Sequence, residues 1–421
     1  MKGFRKTIFL LLAALILLAE LGCGDQYRPV ANPIVGPGGQ PQNTHFAYVV
    51  NYNLNGNGST TTIDVSGDTV SWLQPMGVGS IYEALYSANA LFVANSGNDT
   101  VSDFPAYSSG AVTTVGLLAG SHPLFLTSTT IGTMYVLNSG FNSACPATGS
   151  VSSISTTTGT VTNTACVGLN PINMVQAASG GQVFVLNQGD NLGQGSVSVL
   201  DPATLALVKT LNPVDGLGLN PVYATSSVDG SYIFVVTQGD GVHPGALDIL
   251  TPGLTPAVAA SVPLGVKPTY SYLDAHLNRL YVINAGDNTV SAFDASNVNV
   301  ANMPPIPSLS APVTVGTTPS GIVALQDGTR FYVVNSGSND VSVVSATSFT
   351  VLKTVAVGVG PTFVAADPGS TKVYVTNPGS FSTSVIQTLN DTVSATIAAP
   401  PQDPACTASC ALQQPTMVVT Q

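Results

Sequence analysis

A four-residue segment recurs eight times in this chain and limits its fold more than any other feature. Every copy begins with Tyr or Phe followed by Val, and seven of the eight end with Asn. The copies stand at 48–51, 92–95, 135–138, 184–187, 234–237, 281–284, 332–335 and 374–377, with spacings of 42 to 51 residues. Self-similarity at this period is typical of a protein built from one repeated supersecondary unit.

Each repeat unit reads as four short strands. A Gly-containing turn follows the recurring segment, and an alternating strand such as 289–294 and a third strand such as 351–358 come next. A Gly–Pro junction, as at Pro319 or Pro361, then leads into a fourth strand such as 362–367. Many Gly, Thr, Ser and Val residues, with few Glu, Lys and Arg, favour strands over helices. Four strands in about 40–50 residues are typical of a β-propeller blade.

A ring of blades accounts for how such sheets bury both of their faces. A single four-stranded sheet of this length leaves one apolar face exposed, whereas blades packed around an axis bury both. A linear β-solenoid is the alternative, but its shorter rungs would not give four distinct strands per unit. The C-terminal residues 415–421 match the junction and first strand of the other units, while the first motif strand has no partner before it. We therefore predict an all-β propeller of about eight blades over 45–421, closed by the C-terminal strand, with seven blades as the alternative.

These segments resemble the YVTN family of β-propeller repeats, whose namesake tetrapeptide stands at 374–377. The resemblance covers the chain from about residue 45 onward. It implies the propeller fold and a surface or secreted location, but no defined chemistry. Related lactonase-like propellers commonly have seven blades, which is one reason to keep that alternative.

The N-terminus reads as an export signal. Lys2, Arg5 and Lys6 precede an apolar run over 7–19, which is too short for a comfortable membrane span. The sequence then reaches Cys23 through Leu21 and Gly22, which resembles a bacterial lipobox, although Glu20 departs from that pattern. We predict a lipoprotein-type signal at 1–22, lipidation of Cys23 and a Pro/Gly-rich tether over 23–44. An ordinary signal peptide cleaved nearby is the alternative.

Four further cysteines fit an oxidising compartment. Cys145, Cys166, Cys406 and Cys410 are an even number, and none shows paired spacing with histidines that would predict a structural zinc site. Cys145 falls in a second-to-third-strand turn, and Cys166 falls at the end of the last strand of the same blade. Both positions lie on one face, so we predict a Cys145–Cys166 disulfide and a local Cys406–Cys410 disulfide.

The charge balance argues against polyanionic partners. Without residues 1–22, seven basic and 20 acidic residues remain, a net charge of −13. Nucleic acid and anionic lipid surfaces are therefore unsuited as partners. We expect the lipid to be the one contact with the membrane and the head to be monomeric.

A hydrolase of the lactonase-like type would need acid–base and cationic groups gathered at the channel mouth. The candidates are Glu83, two arginines (Arg279 and Arg330, with Arg28 in the tether) and four histidines, and His276 is predicted on the face opposite His243. A structure that placed His122 or His243 beside Glu83 or an arginine would favour the enzyme; His45 completes the four histidines.

Quinone-dependent dehydrogenase propellers use Trp-rich motifs, whereas Trp72 stands alone and is expected in inter-blade packing. We expect no cofactor.

One acidic pattern suggests a binding rim. The turns after the recurring segments carry Asp99, Asp190, Asp240, Asp287 and Asp340. Carboxylates around one rim could attract Ca²⁺ or a basic partner. Asp beside Gly also stabilises tight turns by bonding nearby backbone, and this structural interpretation is favoured, so no metal is assigned.

The sequence therefore favours a non-catalytic, lipid-anchored recognition or scaffold propeller of the bacterial envelope, with the outer membrane or cell surface preferred. A protein or a glycan would bind its loop-rich face, which holds the long turn over 139–149 and the longest junction over 398–414. A lactonase-like hydrolase is the alternative function.

Overall fold

The computed structural model describes residues 45–53, 56–86, 90–128, 130–178, 180–189, 194–403 and 411–421. It contains eight four-stranded antiparallel sheets, and the first strands of successive sheets contact one another in a closed ring. The protein is a β-propeller with eight blades, which confirms the predicted fold class and excludes seven. Among the described residues no helix is long and apolar enough to cross a membrane.

The blades are numbered in chain order, and their strands are given from the axis outward. Blade 1 contains β32 (Gln414–Thr420), β1 (Phe46–Tyr52), β2 (Asn57–Asp64) and β3 (Thr69–Val78); blade 2 contains β4 (Ser80–Tyr86), β5 (Ala90–Asn95), β6 (Thr100–Pro105) and β7 (Thr113–Gly116); blade 3 contains β8 (Pro123–Thr127), β9 (Thr133–Asn138), β10 (Ser150–Ser155) and β11 (Thr160–Cys166); blade 4 contains β12 (Pro171–Gln176), β13 (Val183–Asn187), β14 (Ser196–Leu200) and β15 (Leu207–Leu211).

The second half of the ring repeats this order. Blade 5 contains β16 (Pro221–Ser226), β17 (Ile233–Thr237), β18 (Ala246–Thr251) and β19 (Ala257–Pro263); blade 6 contains β20 (Pro268–Asp274), β21 (Arg279–Asn284), β22 (Thr289–Asp294) and β23 (Val313–Thr314); blade 7 contains β24 (Pro319–Ala324), β25 (Arg330–Asn335), β26 (Asp340–Ser345) and β27 (Val351–Ala356); blade 8 contains β28 (Phe363–Ala366), β29 (Lys372–Asn377), β30 (Ser382–Gln387) and β31 (Thr392–Ala398). Short 3₁₀ turns span Pro213–Asp215, Ala295–Asn297 and Pro378–Ser380.

The recurring segment forms the second strand of every blade. Its leading aromatic ring is buried in each copy, as for Tyr48, Phe92 and Tyr281. Each apolar cluster joins two neighbouring blades; one, for example, packs Phe92 and Val101 of blade 2 against Met134 of blade 3. The hydrophobic core is therefore a set of eight seams between blades rather than one central mass.

The final Asn of the segment explains the glycine of the junction. Asn95 Nδ2 donates to Ser102 Oγ of the third strand (2.9 Å), while its Oδ1 accepts from the backbone N–H of Gly77 (3.1 Å). A Cβ atom on Gly77 would lie 2.6 Å from Asn95 Cγ, so a larger residue cannot fit there. Blade 5 makes the same connection with other residues, since Asp248 accepts from Gly218 N–H at 2.7 Å.

The C-terminal strand closes the ring as predicted. β32 pairs antiparallel with β1, with Val419 opposite Tyr48 and Val418 opposite Val49. Val418 is fully buried in the seam between blades 8 and 1. Blade 1 is thus assembled from both ends of the described chain.

The cysteine prediction is confirmed where the structure describes it. Cys145 and Cys166 form a disulfide with a Cα–Cα distance of 5.4 Å. It joins the β9–β10 turn to the end of β11, as expected for two positions on one face. Cys23, Cys406 and Cys410 lie outside the described residues, so lipidation and the second disulfide remain predictions.

Candidate functional site

The turns between second and third strands and the junctions between blades form one face, here named the junction face. Backbone hydrogen bonds tie the two sets of loops together; Gly97 N–H donates to Val78 O (2.9 Å), and Gly286 N–H donates to Val266 O (2.9 Å). Equivalent bonds join Gly337 to Thr317 and Gly379 to Val359. Loops fixed in this way present a rigid surface, which lowers the entropic cost of binding a partner.

The candidate rim aspartates lie in these turns, and the structure gives four of them structural contacts. Asp99 accepts hydrogen bonds from Gly120 N–H and His122 N–H (both 2.7 Å). Both donors belong to the junction that leads into blade 3, so Asp99 bonds to that junction and not to its own turn. Asp287 likewise accepts from the junction N–H of Val266 (2.5 Å).

Asp240 and Asp340 bond within their own turns. Asp240 accepts from Val242 N–H (2.9 Å) and His243 N–H (2.7 Å), and Asp340 accepts from Asn335 Nδ2 (2.6 Å). The backbone N–H of His243 is the main cause that lowers the pKa of Asp240 to about 2, and the His243 side chain adds to it. Asp190 lies outside the described residues. Binding of a cation or basic partner by this rim remains a prediction.

His243 and His276 lie on opposite faces, as expected from the sequence. His243 Nδ1 lies 2.9 Å from Asp240 Oδ2, and His122 Nδ1 lies 2.9 Å from Ser96 O, both on the junction face. His276 lies in the β20–β21 turn on the opposite face, and His45 Nδ1 contacts Gln421 O at 3.2 Å.

The arginines do not join these histidines. Arg330 pairs with Asp391 at 2.6 Å, and Arg279 donates to Ala346 O, both near the turns opposite the junction face. Within the described ranges, His122 and His243 hydrogen-bond neither Glu83 nor an arginine. No group of three His, Cys, Asp or Glu side chains in the described residues is placed to hold a metal ion. A His–Asp pair alone supplies a base without a nucleophile or an anion-stabilising group.

Glu83 occupies a different environment from the channel mouth. It is fully buried on the innermost strand of blade 2, where it faces blade 1, and its backbone N–H contacts Met417 Sδ at 3.5 Å. Neither carboxyl oxygen has a partner with hydrogen-bond geometry among the described residues. Burial raises the pKa of Glu83 well above its usual value, and nearby Val419 N–H and the Thr60 hydroxyl oppose the shift only in part. Burial therefore favours the protonated form of Glu83 in the folded protein.

Aromatic side chains on the innermost strands gather around the axis. The tilted rings of Tyr82 and Phe125 lie with centroids 4.2 Å apart between blades 2 and 3, and those of Tyr223 and Tyr270 lie 4.3 Å apart between blades 5 and 6. Burial raises the pKa of Tyr223, and the hydroxyl of Tyr82, three blades away, adds to the rise. Sequence reasoning missed this belt, although three of its members stand two residues after a junction proline.

Trp72 packs between blades as predicted. It lies beside Phe46 with ring centroids 5.0 Å apart, in the cluster that joins blades 1 and 2.

A second feature missed by sequence reasoning is a set of exposed apolar side chains at equivalent junction positions, here named the junction crown. Its members each follow a junction glycine, and between 37% and 61% of each is exposed: Val78, Leu169, Val266 and Val359. The turn glycines allow this packing, since a Cβ on Gly286 would lie 2.6 Å from Val266 Cγ1. The signal available in the sequence was an apolar residue after the junction glycine.

A groove of about 510 Å³ opens between blades 7 and 8. Its walls come from the outer strand of blade 7, the third and fourth strands of blade 8, and Leu412 of the last junction. Serine and threonine hydroxyls lie there beside small apolar side chains, and Phe381 supplies the one aromatic ring among the described lining residues.

Comparison with known proteins supports the fold alone. No family model and no curated protein matches this sequence. Among solved structures, AztD from Citrobacter koseri is 11% identical with a TM-score of 0.61 over 90% of this chain and 98% of its own. The likeness is one of fold. Resemblance to the YVTN family therefore remains a prediction from sequence.

Lactonase-type propellers are also structural neighbours. A periplasmic gluconolactonase from Pseudomonas aeruginosa is 16% identical, with a TM-score of 0.57 over 89% of this chain and 98% of its own. A putative 6-phosphogluconolactonase from Bacteroides fragilis is 12% identical, with a TM-score of 0.56 over 92% of this chain and all of its own. At these sequence identities the similarity shows that the proteins share the propeller fold, and it gives no information about the activity of this chain.

Proposed function

We propose that this protein is a non-catalytic recognition module of the bacterial cell envelope, exported and anchored by a lipid on Cys23. It binds a protein or glycan partner on its junction face, and the junction crown favours a protein. Resemblance to YVTN-type surface propellers supports the location, and the Pro/Gly-rich tether at 23–44 suits a head held away from a membrane.

The junction crown is the observation on which this proposal rests. Exposed apolar side chains scattered singly are ordinary, but a set repeated at equivalent positions on one face is typical of an interaction surface. The crown sits on backbone-locked loops, and Asp99, Asp240 and Asp287 lie in the surrounding turns. Such a surface fits a partner that presents apolar and basic side chains together.

Substitution of the crown should remove the partner without unfolding the head. In cross-linking and affinity capture from the native envelope, we expect recovery of the specific partner to fall by about 10-fold or more, as when interface anchors are lost. The test variant combines Val78→Ser, Leu169→Ser and Val266→Ser. The matched control replaces more exposed apolar residues of the opposite face (89–99% exposed): Ile131→Ser, Leu254→Ser and Leu389→Ser. The proposal is contradicted if the crown variant still recovers the partner and the control variant does not.

The lipid anchor has a separate test. Cys23→Ser should move the protein from the membrane pellet to the soluble fraction, because one acyl anchor and no other segment is proposed to hold it. Mass spectrometry of the wild-type N-terminus should show the added lipid, and Cys406→Ser is the control that should stay in the pellet. A soluble wild type with an unmodified N-terminus refutes the anchor.

One observation favours the alternative hydrolase, namely the His243–Asp240 pair at 2.9 Å on an exposed turn. Hydrolysis of an aldonolactone by the purified protein, abolished by His243→Gln, would replace the recognition proposal with an enzymatic one.

A further inference from the structure

The groove between blades 7 and 8 is lined in part by a turn in which blade 8 departs from the repeat. In blades 2, 6 and 7 the left-handed residue of the second-to-third-strand turn is Asp99, Asn288 or Asn339, with φ between 54° and 58°. Asn288 Oδ1 accepts from Thr318 N–H (2.8 Å), and Asn339 Oδ1 accepts from Gly360 N–H (2.7 Å). The side chain therefore binds the junction that leads into the next blade.

Blade 8 carries Phe381 at this position, with φ of 52°. Asn and Asp tolerate the left-handed region, whereas an aromatic residue there is uncommon and costs energy. A phenyl ring cannot accept the junction N–H, so the connecting bond of the other blades cannot form here. The ring instead lines the groove together with Leu412 of the closing junction. Blade 8 thus lacks a stabilising side-chain hydrogen bond and has an aromatic side chain in the groove in its place. Such a departure from the repeat indicates that the aromatic side chain has a function.

The groove is uncharged and rich in hydroxyls. Ser380 Oγ accepts from Val359 N–H (3.0 Å) and bonds Ser382 Oγ (3.0 Å), so these hydroxyls are held in place before any ligand arrives. Ser384 Oγ accepts from Asn377 Nδ2 (3.0 Å) and is nearly fully buried. No Asp, Glu, Lys, Arg or His is among the described residues that line the cavity. A charged ligand would lose hydration there without gaining a counter-charge.

We propose that this groove binds a neutral saccharide. A pyranose ring has an apolar C–H face that suits Phe381 and Leu412, and an edge of hydroxyls that suits the serine wall. About 510 Å³ lies within the usual range of small-ligand pockets, which combine apolar surface with a few fixed polar groups. The groove is separate from the tested crown residues, so this inference goes beyond the proposed function and can fail while that proposal stands.

Phe381→Asn gives the sharpest test, because it restores the residue that the repeat uses in the same turn. Asn is favoured at left-handed φ, so we expect thermal unfolding at or above the wild-type temperature. Binding of cellotriose, maltotriose and chitotriose to the full-length protein is measured by saturation-transfer NMR and calorimetry. At least one trisaccharide should bind the wild type, and Phe381→Asn should weaken that binding by about 10-fold or more.

A second variant tests the groove without changing the turn that contains Phe381. Thr396→Trp places a bulky ring on an exposed position of β31 at the groove and should block binding while it leaves the strand intact. The matched control is Phe349→Asn, which replaces a left-handed phenylalanine (φ of 54°) in the β26–β27 turn, on the face opposite the junctions, and should leave binding unchanged. Failure of all three trisaccharides to bind at millimolar concentration overturns the proposal. Undiminished binding by folded Phe381→Asn and Thr396→Trp proteins overturns it as well.

Discussion

Deletion of residues 415–421 should abolish cooperative folding of the whole ring. These residues form nearly all of β32, which supplies the innermost strand of blade 1 and contacts the innermost strands of blades 8 and 2. Buried Met417 and Val418 would be lost, each worth about 1.5–3 kcal/mol of apolar burial, together with the hydrogen bonds to β1. That sum is comparable with the whole stability of a typical domain, about 5–15 kcal/mol. Circular dichroism during heating should show a broad, early transition, and gel filtration should show aggregates.

The exposed inner edge of blade 1 explains the expected aggregation. Without β32, the backbone of β1 has no partner on its axial side and offers an open template to other chains. A synthetic peptide of residues 415–421, added in trans, should restore part of the transition, whereas a scrambled peptide should not. Gln414→Ala, at an exposed position of the same strand, is the control that should melt like the wild type. An unchanged melting curve for the deletion would mean that the ring closes in another way.

The blades could be predicted because the repeat encodes contacts within one unit. The aromatic residue, the final Asn and the junction glycine all contact groups of the same blade or its neighbour, so their spacing recurs in the sequence. Asn284, for example, bonds Ser291 seven residues later and the Gly265 N–H nineteen residues earlier. Ring closure could be predicted for the same reason, since 415–421 repeats the junction and first strand that blade 1 lacks.

The candidate site was predicted less completely because its features depend on which side chains remain exposed to solvent after the blades have packed. An apolar residue after the junction glycine marks the position of Leu169 or Val266 in the sequence, but the exposure of its side chain follows from how the turns pack. The groove arises where small residues of blades 7 and 8 face each other, across a gap that no single segment defines. The contacts of Asp99 were also hidden, because its partners lie in the next junction, 21 and 23 residues away.

Glu83 shows why one residue could be misread. Aligned on the junction prolines, its position corresponds to buried Leu126, Met174 and Ile322 of other blades. Blade 2 begins its inner strand with Ser80 in place of Pro, which obscured that alignment. The sequence therefore left Glu83 available as a catalytic acid, whereas the structure places it inside a seam.

Glu83→Gln should change the pH dependence of stability more than any other single substitution of an acid among the described residues. The pKa of Glu83 is raised in the folded state above its ordinary value of 4.5, mainly by burial. The folded protein therefore holds this proton at pH values where the unfolded chain has released it. Stability from this group is complete below pH 4.5 and declines as pH rises toward the folded pKa, by about 1.4 kcal/mol per pH unit.

The surroundings of Glu83 allow that decline to be isolated. Thr60, Met417 and the Val419 N–H contact it, and Tyr48 is a titratable neighbour whose pKa is raised by burial, so that it stays neutral over this range. Gln matches the shape of the neutral acid and does not titrate. Free energies of unfolding from denaturant titrations at pH 4 to 9 should agree for the two proteins at the acidic end and separate progressively, with Glu83→Gln the more stable at pH 8. Other acids titrate equally in both proteins, so the difference between the two curves reports Glu83 alone. Parallel curves across the whole range would mean that Glu83 is ionised in the folded protein, and that the closing seam accommodates a charge.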